Sequence, residues 1–405
     1  MQYDKDSTVC EFIRPSPLSA DDIQGAKLLR EKLKDIPQEL NTDYYLARWW
    51  KSYDGDFQMI EKRFSELINH RRGFGYDKLP LSDLMGHFEI PRRTFERFCI
   101  SNLASSQFSD NIAVFILRMK GNDLKEILRT IPLSFVIHSY FILQESFCRT
   151  VLMKEKITGK PASMVLVLDL IELNISELIN PLSAPSKLTR LIVKVWADYF
   201  SEVLTKVFLI NSPAIISIMW QITKCLMDKK TQARLQFLDH PSDLLHYLRP
   251  EAVPEEYGGQ WRDDSGYACP PESACNDPVR VTPECYFRAD DLWRQNGFSS
   301  VPKMTSATIK GAQTLEIFRT CVQDTRKLIW QFTVNGDIEF DVLRLGDDNQ
   351  WCIVWPKVTL TSLKAPEQWY ITCKKGEYKV RICNPTKTWL PIKINYAVEF
   401  GNDCN

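Results

Sequence analysis

The chain has 405 residues, of which 44% are hydrophobic, and carries 51 basic and 51 acidic side chains. This length predicts two or three domains, and the apolar content excludes a disordered or fibrous protein. Because the formal net charge is zero, no overall field attracts nucleic acid, and we expect no nucleic-acid partner.

The first residues, MQYDKDSTVCEFIRPS, lack the apolar core of a signal peptide. No later apolar run reaches the ~18 residues that a membrane-spanning helix needs, so we expect a cytoplasmic protein. The twelve cysteines contain no C-x-x-C pair, and in that compartment they are expected to be reduced thiols. Cys269, Cys275 and Cys285 lie together, but their spacing fits no standard zinc pattern, and we expect no metal site.

The N-terminal region, from about Asp21 to Arg72, predicts short amphipathic helices. Phe57, Ile60 and Phe64 recur at steps of three or four residues, which places them on one helix face. The segment RRGFGYDKLP, from Arg71 to Pro80, contains two glycines and a proline and predicts a connector. The region is therefore a helical layer rather than a catalytic unit.

The middle region alternates short apolar runs with longer helical patterns. The runs predict strands that are covered on both faces: Asn111–Met119, Ser163–Leu170, Lys206–Asn211 and Ala233–Leu238. One helical pattern extends from Leu133 to Phe147 and another from Leu188 to Val203. Strands that alternate with helices predict an α/β domain with a mainly parallel sheet.

The C-terminal region changes to strict alternation of apolar and polar residues. The alternating segments are Gly336–Arg344, Gly376–Cys383 and Ile392–Phe400. An Asn335-Gly336 turn precedes the first of them and predicts a tight connection to the apolar run WQFTV. We therefore expect an all-β domain with antiparallel strands here.

A search for catalytic motifs finds no phosphate loop, dinucleotide fingerprint, nucleophile elbow or H-E-x-x-H pair. We therefore expect no enzymatic activity and no cofactor other than a bound hydrophobic lipid. His138 interrupts an apolar helix pattern and is interpreted as a packing residue. Asp169 follows a strand at the end where α/β sheets place ligand groups, and a ligand role and a loop-orienting role are both open.

The helix predicted after Ser212 is apolar on nearly all sides, since Ile216 and Trp220 lie away from its main stripe. Such a helix is buried in a core, laid on a membrane or packed over an apolar ligand. Its far end carries basic residues that suit either an anionic membrane surface or a solvated helix end. These basic residues are Lys224, Lys229, Lys230 and Arg234.

The strand VLVLDLIEL, the strand and helix KVFLINSPAIISIMWQITKCLMDKKTQARL and the closing LRPEAVPEEYGGQW resemble the CRAL-TRIO lipid-binding family. The segment DYYLARWW is similar to that family's helical extension, and WQFTVNGDIEFDVL with the strands after it resembles the GOLD β-sandwich of one branch. The resemblance implies an α/β domain, with a sheet floor roofed by helices, between these two units. We place the extension at 1–75, the CRAL-TRIO domain at 76–262, a linker at 263–300 and the GOLD sandwich at 301–405.

The function implied by the resemblance is lipid binding and transfer, with one hydrophobic lipid in an apolar cavity behind a mobile helical gate. The implied partners are a lipid, a membrane surface contacted transiently and a protein bound through the GOLD domain. A regulatory adaptor in signalling or trafficking, with lipid as a structural or sensing ligand, is the alternative. The expected cavity and gate residues are Ile215, Ile216, Ile218, Met219, Ile222, Leu226, Phe115 and Leu168.

In members of the family that exchange phosphatidylinositol, charged residues hold the headgroup. Glu202 and Arg234 match two of those positions here, and Lys229 and Lys230 add possible headgroup or membrane contacts. Tyr53 and Asp54 stand where the extension of those members has basic residues, which argues against a phosphoinositide and leaves a neutral lipid and another phospholipid equally open. Glu172 replaces a common glycine of the family.

Overall fold

The computed structural model describes these parts of the chain: residues 12–80, 84–101, 107–121, 123–174, 179–200, 202–213, 216, 229–262, 275, 278–386 and 390–401. In these ranges no helix has both the length and the apolar character needed to cross a membrane.

Three helices form the N-terminal layer: α1 (Ala20–Lys32), α2 (Asp43–Ser52) and α3 (Phe57–Phe74). Each begins with a capping side chain, since Ser19, Thr42 and Asp56 accept a hydrogen bond from a backbone N–H of the first turn. Helix α3 continues to Phe74 and ends at Gly75, whose φ of 76° is left-handed and favours glycine. The connector predicted from Arg71 is therefore wrong for its first four residues.

Six strands within the described ranges form the central sheet, in the order β1-β3-β4-β5-β6 with β2 paired to β3. Strands β3 to β6 are parallel, which confirms the predicted parallel sheet, whereas β1 and β2 lie antiparallel to β3. The strands are β1 (Cys99–Ile100), β2 (Phe108–Ser109), β3 (Ile112–Arg118), β4 (Ser163–Asp169), β5 (Leu204–Ile210) and β6 (Leu235–Phe237). Helix α4 (Glu89–Phe95) precedes β1, and the helices between the strands are α5 (Leu124–Ile127), α6 (Leu133–Thr158), α7 (Ala184–Val195) and α8 (Lys229–Arg234).

The two faces of this sheet are covered differently. Helix α6 packs on one face, where the rings of Phe115 and Phe147 lie 4.8 Å apart. The opposite face buries Val167 and Phe208 beneath the segment that follows β6, including Trp261. The closing stretch Leu248–Trp261 thus forms the cover of that second face and ends the domain.

Helix α7 ends earlier than its sequence pattern predicts. The α-helical hydrogen bonds stop at Val195, and Trp196–Phe200 form a five-residue π-helical turn. The chain therefore stays helical as far as Phe200, and the helix predicted as far as Val203 is wrong at Val203, which lies in a turn. Short π-helical turns are frequent at functional sites, and this one lies between the sheet and the N-terminal layer.

The C-terminal unit is an antiparallel sandwich in which the described strands form two sheets, β11-β10-β13-β8 and β12-β9-β14-β7. The Asn335-Gly336 connection joins β9 to β10, but these strands belong to different sheets and do not pair. The predicted tight connection is therefore present, but it links the two sheets and does not form a hairpin. The strands are β7 (Thr305–Ile309), β8 (Thr314–Cys321), β9 (Lys327–Val334), β10 (Ile338–Leu345), β11 (Trp351–Leu360), β12 (Glu367–Thr372), β13 (Gly376–Cys383) and β14 (Ile392–Phe400).

Helix α9 (Ala289–Arg294) precedes the sandwich, within the stretch that we predicted as a linker. Its fully buried Trp293 donates a hydrogen bond from Nε1 to Gln331 Oε1 over 2.6 Å. Ile329 and Ala397, from two strands of one sheet, complete the small core beneath it. The part of this stretch that carries α9 therefore packs as a piece of the sandwich.

The sandwich packs directly on α3, α6 and α7, and we call this contact the junction. Trp355 stacks edge-on against His138 of α6 at 4.8 Å, and Arg190 of α7 binds Asp337 through two hydrogen bonds of 2.6 and 2.9 Å. Lys357 lies 2.6 Å from Glu66 of α3. Apolar and ionic contacts together thus fix the sandwich to the helical side of the α/β domain.

Candidate functional site

A row of apolar side chains crosses the parallel strands of the central sheet on the face that α6 partly covers. Leu117, Leu168, Leu209 and Phe237 are direct neighbours in register on four adjacent strands. All four are partly exposed, whereas residues one position away on the opposite face, such as Val167 and Phe208, are fully buried. With strands ~4.8 Å apart, this apolar row extends about 14 Å across the sheet.

Phe115 and Leu168, both predicted to line a cavity, lie on this same face but differ in exposure. Phe115 is buried against Phe147, in the part of the sheet face that α6 covers. Leu168 belongs to the partly exposed row and lies one position before Asp169 at the carboxyl end of β4. The structure therefore brings both residues to one side of the sheet, with Leu168 at the open part.

Most of the predicted gate lies outside the described residues. Ile215, Ile218, Met219, Ile222 and Leu226 belong to that group. Ile216 is described and partly exposed, and its backbone N–H donates to Pro213 O over 2.9 Å. Lys229 and Lys230 begin α8, but their side chains are outside the description. The gate therefore stays a prediction.

A cleft of about 210 Å³ opens where the parallel strands begin, at the opposite end of β4 from Asp169. Its lining includes Ser163 and Thr205 of the sheet, together with Glu202 and Arg234. The guanidinium of Arg234 donates to the Glu202 carboxylate and lies over the ring of Trp196, 5.8 Å from its centroid. The two headgroup residues predicted from the sequence are thus in contact.

The helical extension supplies the other wall of this cleft with residues that the sequence reasoning missed. Tyr44, Arg48 and Lys51 line it, and their spacing of four and then three residues places them on one face of α2. That spacing was the available signal. Tyr53 and Asp54 are absent from the lining, and the Tyr53 hydroxyl instead donates to Asp198 O over 2.5 Å.

Each cation of the cleft already has a carboxylate beside it. Arg48 binds Glu155 and also donates to Ala162 O over 2.9 Å, while Lys51 lies 3.0 Å from Asp22. A polar group that enters the cleft therefore meets paired charges and hydroxyls rather than one dominant positive field. Such a lining can exchange hydrogen bonds with both anionic oxygens and hydroxyl groups.

Asp169 is held by three donors and orients the loops at the carboxyl end of the sheet. Its Oδ1 accepts from the backbone N–H of Ile171 at 3.1 Å and from Asn211 Nδ2 at 2.8 Å. Its Oδ2 accepts from the Tyr257 hydroxyl at 2.6 Å. Both carboxylate oxygens of Asp169 therefore accept hydrogen bonds that orient the loops.

The closing stretch is tied to the sheet by the same network. Arg118 at the end of β3 donates from Nε to the Tyr257 hydroxyl over 2.9 Å and lies 3.3 Å from Glu256. Burial raises the pKa of the Tyr257 hydroxyl, so it remains protonated and donates to Asp169. Glu256 and Tyr257 thus connect the last turn of the domain to the strand ends.

His138 is a packing residue of the junction. It is fully buried, and its Nδ1 lies 3.0 Å from Nε2 of His70, whose other ring nitrogen is 2.8 Å from the Tyr76 hydroxyl. Burial lowers the pKa of His70 to about 3 and holds that of His138 well below its usual range. Both rings are therefore neutral at physiological pH and closed to solvent.

The described residues contain no group of three or more histidine, cysteine or acidic side chains that could hold a metal ion. Of the clustered cysteines, Cys269 lies outside the described residues, Cys275 is buried and Cys285 is exposed.

Residues 109–259 match the CRAL/TRIO domain family model. The chain is similar to CRAL-TRIO domain-containing protein C34C12.6 of Caenorhabditis elegans, with 27% identity over 84% of this chain and 85% of that protein. It is also similar to F28H7.8 of the same organism, with 20% identity over 93% of this chain and 90% of that protein. A superposition on the crystal structure of Sfh5 gives a TM-score of 0.45 and 15% identity, covering 66% of this chain and 95% of that one. The part of the chain that matches the CRAL/TRIO model, residues 109–259, thus contains the parallel strands β3 to β6 and most of the closing stretch.

Proposed function

We propose that this protein binds one hydrophobic lipid on the face of the central sheet and exchanges it at membranes. The observation that carries the proposal is the apolar row of Leu117, Leu168, Leu209 and Phe237, which is partly exposed although its neighbours on the opposite face are buried. Partly exposed apolar side chains in register across four strands form a surface that needs an apolar cover. A lipid chain beneath the predicted gate provides that cover.

The energetics of chain transfer require a broad apolar surface. Removing a ~16-carbon chain from a bilayer gives up on the order of 12 kcal/mol, at ~0.8 kcal/mol for each methylene. Only a dry cavity of comparable apolar area replaces that amount. The sheet floor and the predicted gate residues, among them Ile218 and Ile222, together supply this type of surface.

The cleft at the amino end of the strands receives the lipid headgroup in this proposal. Glu202, Arg234, Arg48 and Lys51 converge there, and the apolar row lies further along the same strands. Paired charges favour a headgroup that carries both acceptors and hydroxyl donors, such as that of a phospholipid. In this proposal Arg48 and Lys51 bind the headgroup, in place of the basic residues that the family resemblance implies at Tyr53 and Asp54.

The sandwich is proposed to act as a GOLD domain that contacts a protein or a membrane, so that the protein associates with membranes transiently. Its fixed position at the junction supports this role, since Lys357 and Arg190 hold it beside the lipid-binding domain. The chain has no enzymatic step in this proposal.

Native mass spectrometry and organic extraction of the purified protein test the lipid directly. We expect one lipid for each chain and transfer of that lipid between donor and acceptor vesicles. Leu168→Asp and Leu209→Asp introduce a charge into the apolar row and should abolish loading. Ile157→Asp is the matched control, because this side chain is 74% exposed on α6 and away from the row.

Two results would overturn the proposal. One is native protein without any extractable lipid and without transfer. The other is unchanged loading in both row variants while their circular dichroism spectra remain native. Ile218→Asp tests the predicted gate separately, since unchanged loading in that variant removes the gate but leaves the floor.

A further inference from the structure

A second groove, of about 880 Å³, lies between the N-terminal helical layer and the C-terminal half of α6. It adjoins the headgroup cleft at Leu18 and Tyr44 and extends away from it along α6. Its apolar lining comes from both sides of the groove: Leu18, Ile23, Leu40, Leu79, Leu152 and Met153. The lipid-binding role proposed above does not use this groove.

Large apolar side chains are exposed on both walls. Ile23 of α1 is 52% exposed and Met153 of α6 is 46% exposed, and both line the groove. Neither side chain is needed to close the core of its own helix, because Ala26 and Leu29 of α1 and Val151 of α6 are buried there. Exposed apolar residues on facing walls of a groove are typical of a surface that binds a partner.

The exposed charges of the groove are segregated by wall. On the side of the N-terminal layer, Glu39 and Asp43 are acidic, and Asp43 also forms an exposed ion pair with Arg30 at 2.6 Å. On the side of α6, Lys156 is basic, as is Lys78 in the turn that follows α3. The groove therefore has an apolar floor with one acidic and one basic border.

The floor also contains a buried arginine, Arg71, with an N–H group that makes no hydrogen bond to the described residues. The Arg71 side chain is 1% exposed and lies 2.8 Å from Glu39 and 3.2 Å from Glu145. Its Nη1 has no hydrogen-bond partner among the described residues. A backbone carbonyl at the end of a bound helix is an acceptor of the kind that this donor lacks.

We infer that this groove docks one amphipathic helix of a partner protein. The apolar stripe of that helix packs on Ile23, Leu152 and Met153. A basic border on the partner helix faces Glu39 and Asp43, and an acidic border faces Lys78 and Lys156. This is the helix-in-groove mode of recognition, in which residues at i, i+3, i+4 and i+7 anchor the helix.

The test uses the full chain and a fluorescent synthetic helix with leucines at i, i+3, i+4 and i+7, lysines along one border and glutamates along the other. We expect saturable binding by fluorescence anisotropy. A peptide of the same composition with scattered leucines should not bind. Peptides with lysine on both borders or glutamate on both borders should bind more weakly, because one wall then meets a like charge.

Variants of the groove locate the binding site. Ile23→Glu and Met153→Glu should each weaken binding about tenfold or more, since each places a charge in the apolar contact. Ile157→Glu, on the same helix but outside the lining, should leave binding unchanged. Lys156→Glu should weaken binding of the mixed-border peptide and strengthen that of the peptide with two lysine borders.

Two results would overturn this inference. Either no peptide binds with saturation, or the affinity is the same in Ile23→Glu and Met153→Glu as in the native chain. Binding of a fluorescent fatty acid in the groove, lost in these two variants while no peptide binds, would also overturn it. Lipid loading of the sheet face is measured in parallel and should remain unchanged in all of these variants.

Discussion

Glu367 of the sandwich caps the first turn of α6, the long helix of the α/β domain. Its carboxylate accepts from the backbone N–H of Ser134 at 3.0 Å and from the Ser134 hydroxyl at 2.5 Å. The residue before the helix, Pro132, offers no side-chain cap, so the helix start depends on a residue 233 positions away in the chain. The junction therefore supplies part of the structure of α6.

Glu367 makes the stability of the protein depend on pH. Burial raises the pKa of this carboxyl to about 7, although the Ser134 hydrogen bonds lower it. Between pH 4.5 and 7 the folded state then binds more protons than the unfolded state, so the free energy of unfolding falls as pH rises. This contribution amounts to roughly 3 kcal/mol across the window.

Glu367→Gln removes that titration. From pH 4.5 to 7.5 the native protein should lose roughly 3 kcal/mol of unfolding free energy that the variant does not lose. The stability of the variant relative to the native protein should therefore rise by that amount. Urea unfolding at several pH values, followed by tryptophan fluorescence, measures it. Parallel pH profiles for the two proteins would contradict the prediction.

The pKa of Glu66, on the α3 side of the junction, is shifted in the opposite direction to that of Glu367. Burial raises its pKa, but Lys357 at 2.6 Å, Arg63 at 2.9 Å and the Tyr199 hydroxyl at 2.8 Å outweigh it and lower the pKa to about 2. The stability contributed by Glu66 is therefore present above pH 4.5 and is lost as pH falls from 4.5 toward 2.

Glu66→Gln should destabilise the protein by about 3 kcal/mol at pH 7, because it leaves the partly buried Lys357 with only the more distant carboxylate of Glu339, at 3.5 Å. A double-mutant cycle with Lys357→Met isolates the pair, and we expect a coupling free energy above about 1 kcal/mol. Additive effects of the two substitutions in urea unfolding would show that the contact contributes little.

Glu172 occupies a backbone position that favours glycine. Its φ is 61°, in the left-handed region, and its side chain is exposed. A residue with a Cβ is strained there by roughly 1 kcal/mol, which gives a physical meaning to the glycine that the family resemblance implies at this position. Glu172→Gly should therefore stabilise the protein by about 0.5 to 1 kcal/mol.

The matched control for this substitution is Glu61→Gly. Glu61 is also exposed but lies inside α3, where glycine costs about 1 kcal/mol. Thermal unfolding should move in opposite directions for the two variants. A lower melting temperature for Glu172→Gly would mean that the side chain makes contacts that outweigh the backbone strain.

Elements that follow from a short run of neighbouring residues could be predicted from the sequence alone. The apolar runs at β3, β4 and β5 predict buried parallel strands because the same residues are apolar toward both faces, and the structure has those strands. The resemblance of the strand and closing motifs predicted the CRAL-TRIO domain, which the family match at 109–259 supports.

Features that depend on long-range packing were not predictable in the same way. Asn335-Gly336 suggests a hairpin, but β9 pairs with β12 and β14, so the turn carries the chain between two sheets. Arg48 and Lys51 enter the cleft only because α2 lies beside the amino end of β4. The residue pattern of α2 alone does not predict which strand end the helix lies beside. The spacing of Tyr44, Arg48 and Lys51 indicates a shared helix face but not what the face contacts.

Tyr257 holds the closing turn to the strand ends, and its hydroxyl can be removed without changing the ring. Tyr257→Phe deletes the donor to Asp169 and the acceptor of Arg118, at 2.6 and 2.9 Å, in a side chain that is 5% exposed. Because both partners are charged, we expect a loss of about 1 to 3 kcal/mol in urea unfolding. Tyr247→Phe is the control, since the hydroxyl of this partly exposed residue accepts a hydrogen bond from the neutral amide of Gln236, at 2.5 Å, and its loss should cost about 1 kcal/mol or less. Equal losses in the two variants would show that the Asp169 network adds nothing beyond an ordinary hydrogen bond.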